Sequence, residues 1–409
     1  MSDFWRNVGS VVTGTALAQI IPVLGSLIIA RQYVPAEFGV FSAWLGMALW
    51  LAVVLTGRFE MALVIERDGE ARRLAVLSTI VTACLGAGVA GLALAVGILA
   101  VPEWVANFPL TLILISIPVA LAVAVAQTWQ SWAAAEGFYR QLSLMRIAQA
   151  GAITLLQIGA GVFFASASAL AIAYMLGLTI GIALSAVLMP VGALPKGVGT
   201  APLRAFWRRH RRFPMFSLPA DAINTAAAQL PVLLVAGRFG AEMAGLLAMA
   251  MRMLGTPISL LGRAVLDVFK RQAATSFRER GECRDDYLRT FKVLALVSLI
   301  FCAVMSMASE PLFVLAFGES WRGAGVIAVW LLPIFALRFM ASPLSYMAYI
   351  AGKQHIDLIW QIALLGMTFI SLSVPQQQDF ALQAYSAGYS LLYIVYLVMS
   401  YRFSLGEKR

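Results

Sequence analysis

Long uncharged stretches alternate with short polar segments along the whole chain. In the first half, the uncharged stretches cover residues 7–30, 38–57, 74–102, 104–135 and 147–195. A helix that crosses the hydrocarbon core of a bilayer needs about 20 residues, so the last stretch accommodates two helices. In the second half, apolar stretches lie near 216–238, 244–265, 292–313, 323–350, 358–375 and 380–402. The pattern predicts an all-α integral membrane protein with twelve transmembrane helices, the fifth and sixth separated near residues 165–168.

The composition supports membrane insertion. Of 409 residues, 61% are hydrophobic and 12% are charged, whereas soluble domains contain about 25% charged residues. This balance excludes a soluble enzyme, a disordered chain and a disulfide scaffold. At the N-terminus, Ala16-Leu17-Ala18 resembles a signal-peptide cleavage site, but the uncharged run from Asn7 to Ala30 is long enough to cross a bilayer. We expect an uncleaved first span, with a cleaved signal peptide as the alternative.

Lys and Arg are concentrated in alternate polar segments. With the N-terminus inside, 25 of the 30 Lys and Arg residues fall in cytoplasmic segments, and this bias predicts that both termini are cytoplasmic. The segment between the sixth and seventh spans includes the basic run from Trp207 to Arg212. We interpret this run as a topological anchor beside anionic lipid, with a docking site for an acidic head group or partner as the alternative. The predicted organisation is an N-terminal six-helix lobe (1–190), a basic cytoplasmic linker (191–215) and a C-terminal six-helix lobe (216–409).

A short repeat relates the two predicted lobes. Gln19 and Pro22 of the first span have counterparts in Gln229 and Pro231 of the seventh. Six spans return the chain to the same side of the membrane, so the lobes are predicted to be parallel repeats, as in many transporters. A proline inside a helix removes one backbone hydrogen bond and kinks the helix. We therefore expect two kinked helices that line a central site.

Charged residues interrupt the apolar runs of the second lobe at Asp221, Arg252, Glu310 and Arg338. Helical rise places Arg252 and Arg338 each about 18–20 Å from the inner side, so they could share one level and bind a phosphate or an acidic sugar. The alternative is that each arginine snorkels or pairs structurally. Asp221 is a candidate proton-titratable coupling group, about 12 Å below Arg252. Glu310 is expected at the outer interface.

Arg58 and Glu60 lie near the cytoplasmic end of the second span. The apolar run resumes at Met61 and continues to Ile65, so the span could extend to Ile65 with both charges inside it. They are candidates for the entrance of an anionic head group, and the alternative is a pair that straddles the interface.

A stripe of tyrosines follows one face of the last helix: Tyr385, Tyr389, Tyr393 and Tyr396. Packing against a neighbouring helix is the simpler interpretation, and a phenol-lined path for lipid or sugar is the alternative.

The sequence shows no motif for nucleotide binding, catalysis or metal binding. It contains no G-x-x-x-x-G-K-[ST] phosphate loop, and its three cysteines and two histidines are scattered. We therefore expect no enzymatic activity, no catalytic residues, no cofactor, no metal site and no nucleic-acid partner.

Several segments resemble a known family, in an order that covers essentially the whole chain. They are Arg31-x-Tyr33-x-Pro35-x-x-Phe38-Gly39, Gly57-Arg58-Phe59-Glu60-x-Ala62, Phe213-Pro214-x-Phe216-Ser217-Leu218-Pro219-Ala220, Gln229-Leu230-Pro231-Val232, Phe317-Gly318-Glu319-x-Trp321-x-x-Ala324-Gly325 and Ala341-Ser342-Pro343-Leu344. In these positions the chain is similar to Wzx-type oligosaccharide flippases, polysaccharide biosynthesis proteins of the multidrug/oligosaccharidyl-lipid/polysaccharide exporter superfamily.

The resemblance implies two six-helix lobes around a central cavity that opens alternately to the two sides of the bacterial inner membrane. It implies that the substrate is an undecaprenyl-pyrophosphate-linked oligosaccharide, such as an O-antigen or capsule repeat unit, moved to the outer leaflet. Membrane lipids, a polysaccharide polymerase and a chain-length regulator are the implied partners, and we expect a monomer. By motif, Arg58 and Glu60 carry over as substrate contacts.

The functional hypothesis is therefore a lipid-linked oligosaccharide flippase, with Arg58, Glu60, Arg252 and Arg338 along the substrate path. One rival is an ion-coupled small-molecule antiporter of the same superfamily, for which a carboxylate-rich first lobe would be expected. Another is a membrane-embedded polysaccharide polymerase or ligase, which would need a long outer loop with convergent polar residues. A structural scaffold is disfavoured by the arginines inside the membrane.

Overall fold

A computed structural model describes residues 2–100, 109–192 and 199–406 of the chain. Within these ranges, every regular element is a helix. The start of the predicted fourth span, at residues 104–108, lies outside the described residues, as do Lys196, Lys408 and Arg409, which the charge count assigns to the cytoplasm.

Six long helices form the first half of the chain: α1 (Ser2–Gln32), α2 (Pro35–Thr56), α3 (Glu70–Ala100), α4 (Leu110–Ala135), α5 (Tyr139–Phe163) and α6 (Ala167–Leu188). The predicted break between the fifth and sixth spans is confirmed. There, Ser166 caps α6 by accepting a hydrogen bond from the Ala169 N–H at 3.2 Å. The carboxylate of Glu37, on α2, accepts a second hydrogen bond from the Ala167 N–H.

The second half begins with a short helix and a π-helical turn. Its helices are α7 (Thr200–Arg209), the π-helix Phe213–Ser217, α8 (Leu218–Phe239), α9 (Ala241–Arg280), α10 (Arg284–Phe317), α11 (Arg322–Leu344), α12 (Met347–Ile350), α13 (Gln354–Ser373) and α14 (Gln378–Ser404). Across the described residues, twelve helical segments are long and apolar enough to cross a membrane. The predicted fold class, all-α with six spans in each half, is thereby confirmed.

The contacts between residues divide the chain into two units, Met1–Gln229 and Leu230–Arg409. Residues 216–229, which the sequence places in the second lobe, belong to the first unit. The division therefore falls inside α8, two residues before Pro231.

Two helix boundaries differ from the sequence-based expectation. The uncharged stretch 38–57 locates the end of span two to within one residue, since α2 ends at Thr56. The possible extension to Ile65 is wrong, because residues Phe59–Val64 form a separate 3-10 helix. The apolar side chains of Ala62 and Leu63 are fully buried in a core that includes Trp132, so their hydrophobicity reflects packing.

The polar segment between the apolar stretches 244–265 and 292–313 is largely helical, because α9 continues to Arg280. Phe269 and Ala273 are buried along this extension, so it has a packed face. Pro22 and Pro231 each lie inside a helix that continues past them, in α1 and α8 respectively.

Candidate functional site

The end of α2 has an unusual backbone conformation at Arg58. Gly57 and Arg58 both adopt the left-handed region, with φ of 58° and 60°, and Arg58 is the one non-glycine residue with positive φ in the described ranges. Its N–H donates to the Thr56 Oγ1 at 3.2 Å. The left-handed conformation costs an arginine about 1–2 kcal/mol, so the surrounding structure must impose it. The left-handed turn at Gly57 and Arg58 ends α2, and the 3-10 helix begins directly after it at Phe59.

Arg58 lies between two carboxylates. Its Nη1 is 2.8 Å from Glu60 Oε1, and its Nε is 2.7 Å from Asp221 Oδ2. The side chain of Glu60 is 5% exposed and that of Asp221 is 35% exposed, so the two acids have different environments. A buried carboxylate without a cation would be strongly unfavourable, and Arg58 therefore stabilises Glu60 in place. We call Arg58, Glu60 and Asp221 the arginine cluster.

The sequence did not indicate that Asp221 meets Arg58. The depth estimate placed Asp221 about 12 Å below Arg252, too far for a direct pair, and named no other partner. The structure pairs it with Arg58. The two residues come together because α8 runs antiparallel to α2: the Trp50 Nε1–H donates to the Ala222 carbonyl at 3.2 Å, and Gln229 lies against Gly46. A Cβ at Gly46 would be 3.1 Å from the Gln229 Oε1, so the small residue permits this approach.

Arg72 holds the loop that carries the arginine cluster. Its guanidinium donates to the carbonyls of Leu63 at 3.0 Å, Glu66 at 3.1 Å and Ala135 at 3.2 Å. It also pairs with Glu136 at 2.7 Å and with Asp68. Arg72 is 6% exposed. Charge distribution alone makes Arg72 one more residue of a basic segment. Its position in the first turn of α3, directly after the loop, is the sequence signal that could reveal its role.

The same loop contacts the basic linker. Glu66 Oε1 lies 2.6 Å from His210 Nε2 and 3.2 Å from Arg209 Nη1. Burial would raise the pKa of the Glu66 carboxyl, but the hydrogen bond and charge of His210, with those of Arg209, outweigh it and lower the pKa. The Trp207 Nε1–H donates to Thr82 at 2.9 Å, and the Phe206 ring is 5.5 Å from that of Phe59. The linker therefore packs against the first unit.

A further arginine of the first unit, Arg146, makes its contacts between helices. Arg146 is two turns into α5, and its guanidinium donates to Gln130 Oε1 at 3.1 and 3.3 Å and to Thr15 Oγ1 at 3.1 Å. In the sequence, Arg146 directly precedes the uncharged stretch 147–195. Its position extends the polar interior of this lobe beyond the arginine cluster.

In the second unit, the register of α9 and α11 relates Arg252 to Arg338. A Cβ at Gly255 would lie 3.5 Å from the Phe335 ring, and one at Gly262 would lie 3.8 Å from the Ser342 hydroxyl. The two helices are thus parallel with a constant offset. Gly255 faces Phe335 and Gly262 faces Ser342, so by the same register Arg252 faces position 332 of α11. Arg338 is six residues further along α11, or about 9 Å along the helix axis. The expectation that they share one level is therefore corrected to an oblique arrangement.

The tyrosine stripe of α14 packs mostly inside the second unit. Tyr385, Tyr393 and Tyr396 are buried, and the Tyr396 hydroxyl donates to Asp357 Oδ1 at 2.6 Å. These contacts favour the packing interpretation. The guanidinium of Arg338 is close enough to act electrostatically on Tyr385, Tyr389 and Tyr393.

Glu310 forms an exposed ion pair. Its carboxylate is 2.5 Å from Arg322 Nη1, and both side chains are well exposed. Elsewhere, no group of three or more His, Cys, Asp or Glu residues that could hold a metal ion occurs among the described residues.

Comparison with solved structures shows the fold. The chain is similar to the lipid II flippase MurJ in an inward closed conformation, with a TM-score of 0.71, 11% identity and coverage of 96% of this chain and 87% of that one. It is also similar to a multidrug resistance MATE family transporter of the MOP superfamily in an inward-facing conformation, with a TM-score of 0.66, 14% identity and coverage of 94% of each chain.

Comparison with sequences is more specific. Over 165 residues the chain is 25% identical to the teichuronic acid biosynthesis protein TuaB of Bacillus subtilis (strain 168). The match spans 40% of this chain and 34% of that relative. A family model described as polysaccharide biosynthesis protein matches residues 28–325. The chain therefore belongs to the polysaccharide biosynthesis protein family, whose members it resembles in sequence, and it has the fold of the MOP-superfamily transporters and flippases.

Proposed function

We propose that this protein moves an undecaprenyl-pyrophosphate-linked oligosaccharide from the inner to the outer leaflet of the bacterial inner membrane by alternating access. The observation that carries the proposal is the arginine cluster: a guanidinium fixed in a left-handed turn at the predicted cytoplasmic end of α2. A guanidinium binds diphosphate through two parallel hydrogen bonds, so Arg58 suits the charged group that links lipid to sugar. The family match to polysaccharide biosynthesis supports the same substrate class.

In the first unit, Arg58 and Glu60 are proposed to contact the substrate, and in the second unit Arg252 and Arg338 are proposed to do so. The 9 Å axial offset between the last two suits contacts with successive charged or polar groups of an elongated head group. Gln19 and Pro22 of α1, with Gln229 and Pro231 of α8, belong to helices proposed to line the path. Asp221 is the group proposed to couple transport to an ion gradient. Both termini are proposed to be cytoplasmic.

Two rivals make different predictions. A small-molecule antiporter shares this fold, and the structural similarity alone does not separate it from a flippase. The family match favours the flippase, since the model describes polysaccharide biosynthesis. A polymerase or ligase would release longer glycans, whereas a flippase changes only the side of the membrane on which the lipid-linked unit is found.

The test is deletion of the gene in its native host, with complementation by the wild type and by Arg58→Ala. Deletion should trap lipid-linked repeat units on the inner leaflet, where they are labelled only after the cell envelope is opened. The wild type should restore export and Arg58→Ala should not, although it inserts normally. Arg67→Ala is the matched control, because Arg67 is exposed in the adjacent loop. Normal surface glycan in the deletion strain would refute the proposal.

A further inference from the structure

We propose that Asp221 is a resident counter-ion that occupies the substrate edge of Arg58 and is displaced by the diphosphate of the incoming lipid. This inference rests on the proposed function and gives Asp221 a defined step in it. It begins from the two contacts of the Arg58 guanidinium, which use different edges of the group. Glu60 approaches Nη1, and Asp221 approaches Nε.

The two acids are held differently. Glu60 is 5% exposed, belongs to the same 3-10 segment and is fixed to Arg58 two residues away. Asp221 is 35% exposed and reaches Arg58 from α8. A partly exposed ion pair is worth little because water solvates the separated charges well. Of the two carboxylates, Asp221 is therefore the one that a competing anion can replace.

The geometry of the Asp221 contact is incomplete. The Nε atom of Arg58 is buried and meets no acceptor at a hydrogen-bonding angle within the described residues, although Asp221 Oδ2 is 2.7 Å away. The contact is thus held by charge and lacks an aligned hydrogen bond. The same is true of the Arg58–Glu60 contact, because both carboxylate oxygens of Glu60 are also buried without a hydrogen-bond partner among the described residues. The two acids therefore differ in exposure and in the element that carries them, and not in hydrogen bonding. A phosphate can accept two parallel hydrogen bonds from a guanidinium edge, a stronger arrangement. The exchange of Asp221 for diphosphate replaces a poor contact with a good one.

The displacement also has a consequence for α8. Arg58 and Asp221 join the end of α2 to the first turn of α8, beside the Trp50–Ala222 hydrogen bond. When diphosphate binds Arg58, the contact between Arg58 and Asp221 is broken. Loading of the site would thereby weaken the attachment of α8 to α2, whereas the unloaded protein keeps that attachment.

The experiment measures binding of farnesyl pyrophosphate to the purified full chain in detergent, with farnesol as the uncharged control. Asp221→Asn should bind farnesyl pyrophosphate about three- to tenfold more tightly than the wild type, because no charge contact has to be broken. Farnesol binding should not change. The matched control is Asp379→Asn, which removes the same charge from an exposed residue at the start of α14 and should leave both affinities unchanged. The double variant Arg58→Ala/Asp221→Asn should lose the increase in affinity for farnesyl pyrophosphate that Asp221→Asn shows alone.

A second measurement uses the wild type, so the proposal stays testable if Asp221→Asn fails to fold. Carbodiimide-driven labelling of carboxylates with glycine ethyl ester, read by mass spectrometry, should increase at Asp221 when farnesyl pyrophosphate is added and stay constant at Asp379. Unchanged or weaker binding by Asp221→Asn, or unchanged labelling, overturns the counter-ion role. Failure of the counter-ion role leaves the proposed flippase function standing if glycan export in cells still requires Arg58. The flippase function itself is refuted by a different result, which is normal glycan export in the deletion strain.

Discussion

His210 Nε2 lies 2.6 Å from Glu66 Oε1, and this contact ties the basic linker to the loop that carries Arg58. The two residues are 144 positions apart in the sequence. Because Phe206 and Trp207 pack on the same unit, the linker helix α7 is a fixed part of the first lobe. The arrangement predicts that stability depends on pH, because the pKa of Glu66 is lowered in the folded state.

Glu66→Gln should destabilise the protein at neutral pH by roughly 1–3 kcal/mol, because it removes the charge from hydrogen bonds with His210 and Arg209. The pKa of Glu66 is lowered in the folded state. Its stabilisation is therefore complete above its unfolded pKa, ordinarily about 4.5, and is lost as the pH falls through the lower folded value. Thermal unfolding in detergent should be measured from pH 8 to pH 4. The difference in melting temperature between Glu66→Gln and the wild type should become smaller as the pH approaches 4. Glu70→Gln, at an exposed neighbour, should follow the wild type throughout.

Arg72→Ala should destabilise the first lobe by about 3–5 kcal/mol, because it removes a buried cation from two carboxylates and three carbonyls at once. Arg72→Lys should recover only part of this loss, since an ammonium lacks the planar fork that reaches all these acceptors. Thermal unfolding monitored by tryptophan fluorescence measures both variants against Arg67→Ala. A lysine variant as stable as the wild type would show that charge alone, without the fork, holds the loop.

Arg252→Ala and Arg338→Ala should each stop export of lipid-linked glycan while the protein remains inserted. Removal of either cation weakens the hold on an anionic head group, and the axial offset means that neither replaces the other. Export is measured in the deletion strain by surface glycan staining, with membrane levels checked by immunoblot. Arg271→Ala is the control, because Arg271 is an exposed arginine further along α9. Normal export by the double variant Arg252→Ala/Arg338→Ala would remove both residues from the mechanism.

Reporter fusions after residues 70, 205, 275 and 409 should all report the cytoplasm. The distribution of Lys and Arg predicts this, since positively charged segments stay on the inner side. A fusion after Gln376, between α13 and α14, should report the outer side and serves as the internal contrast. An outer signal from any of the first four would contradict the predicted orientation.

The tertiary structure changed the meaning of several residues that the sequence had located correctly. Arg72 and Arg146 were both recognised as basic residues near membrane boundaries, but their acceptors lie on other helices. The run from Met61 to Ile65 looked like the end of a span because it is apolar. The backbone places most of the run in the separate 3-10 helix Phe59–Val64, in which Leu63 packs in the core that includes Trp132 while Val64 is exposed.

The sequence by itself determined the number of spans, their approximate limits and the break before Ala167. These depend on local properties: each membrane segment must be apolar over about 20 residues, whatever its neighbours are. The tertiary structure alone decided that Asp221 meets Arg58. It also decided the register of α9 and α11, which places Arg338 about 9 Å along the helix axis from the level of Arg252. An ion pair depends on the register and approach of helices that are distant in the chain, and hydropathy carries no information about either.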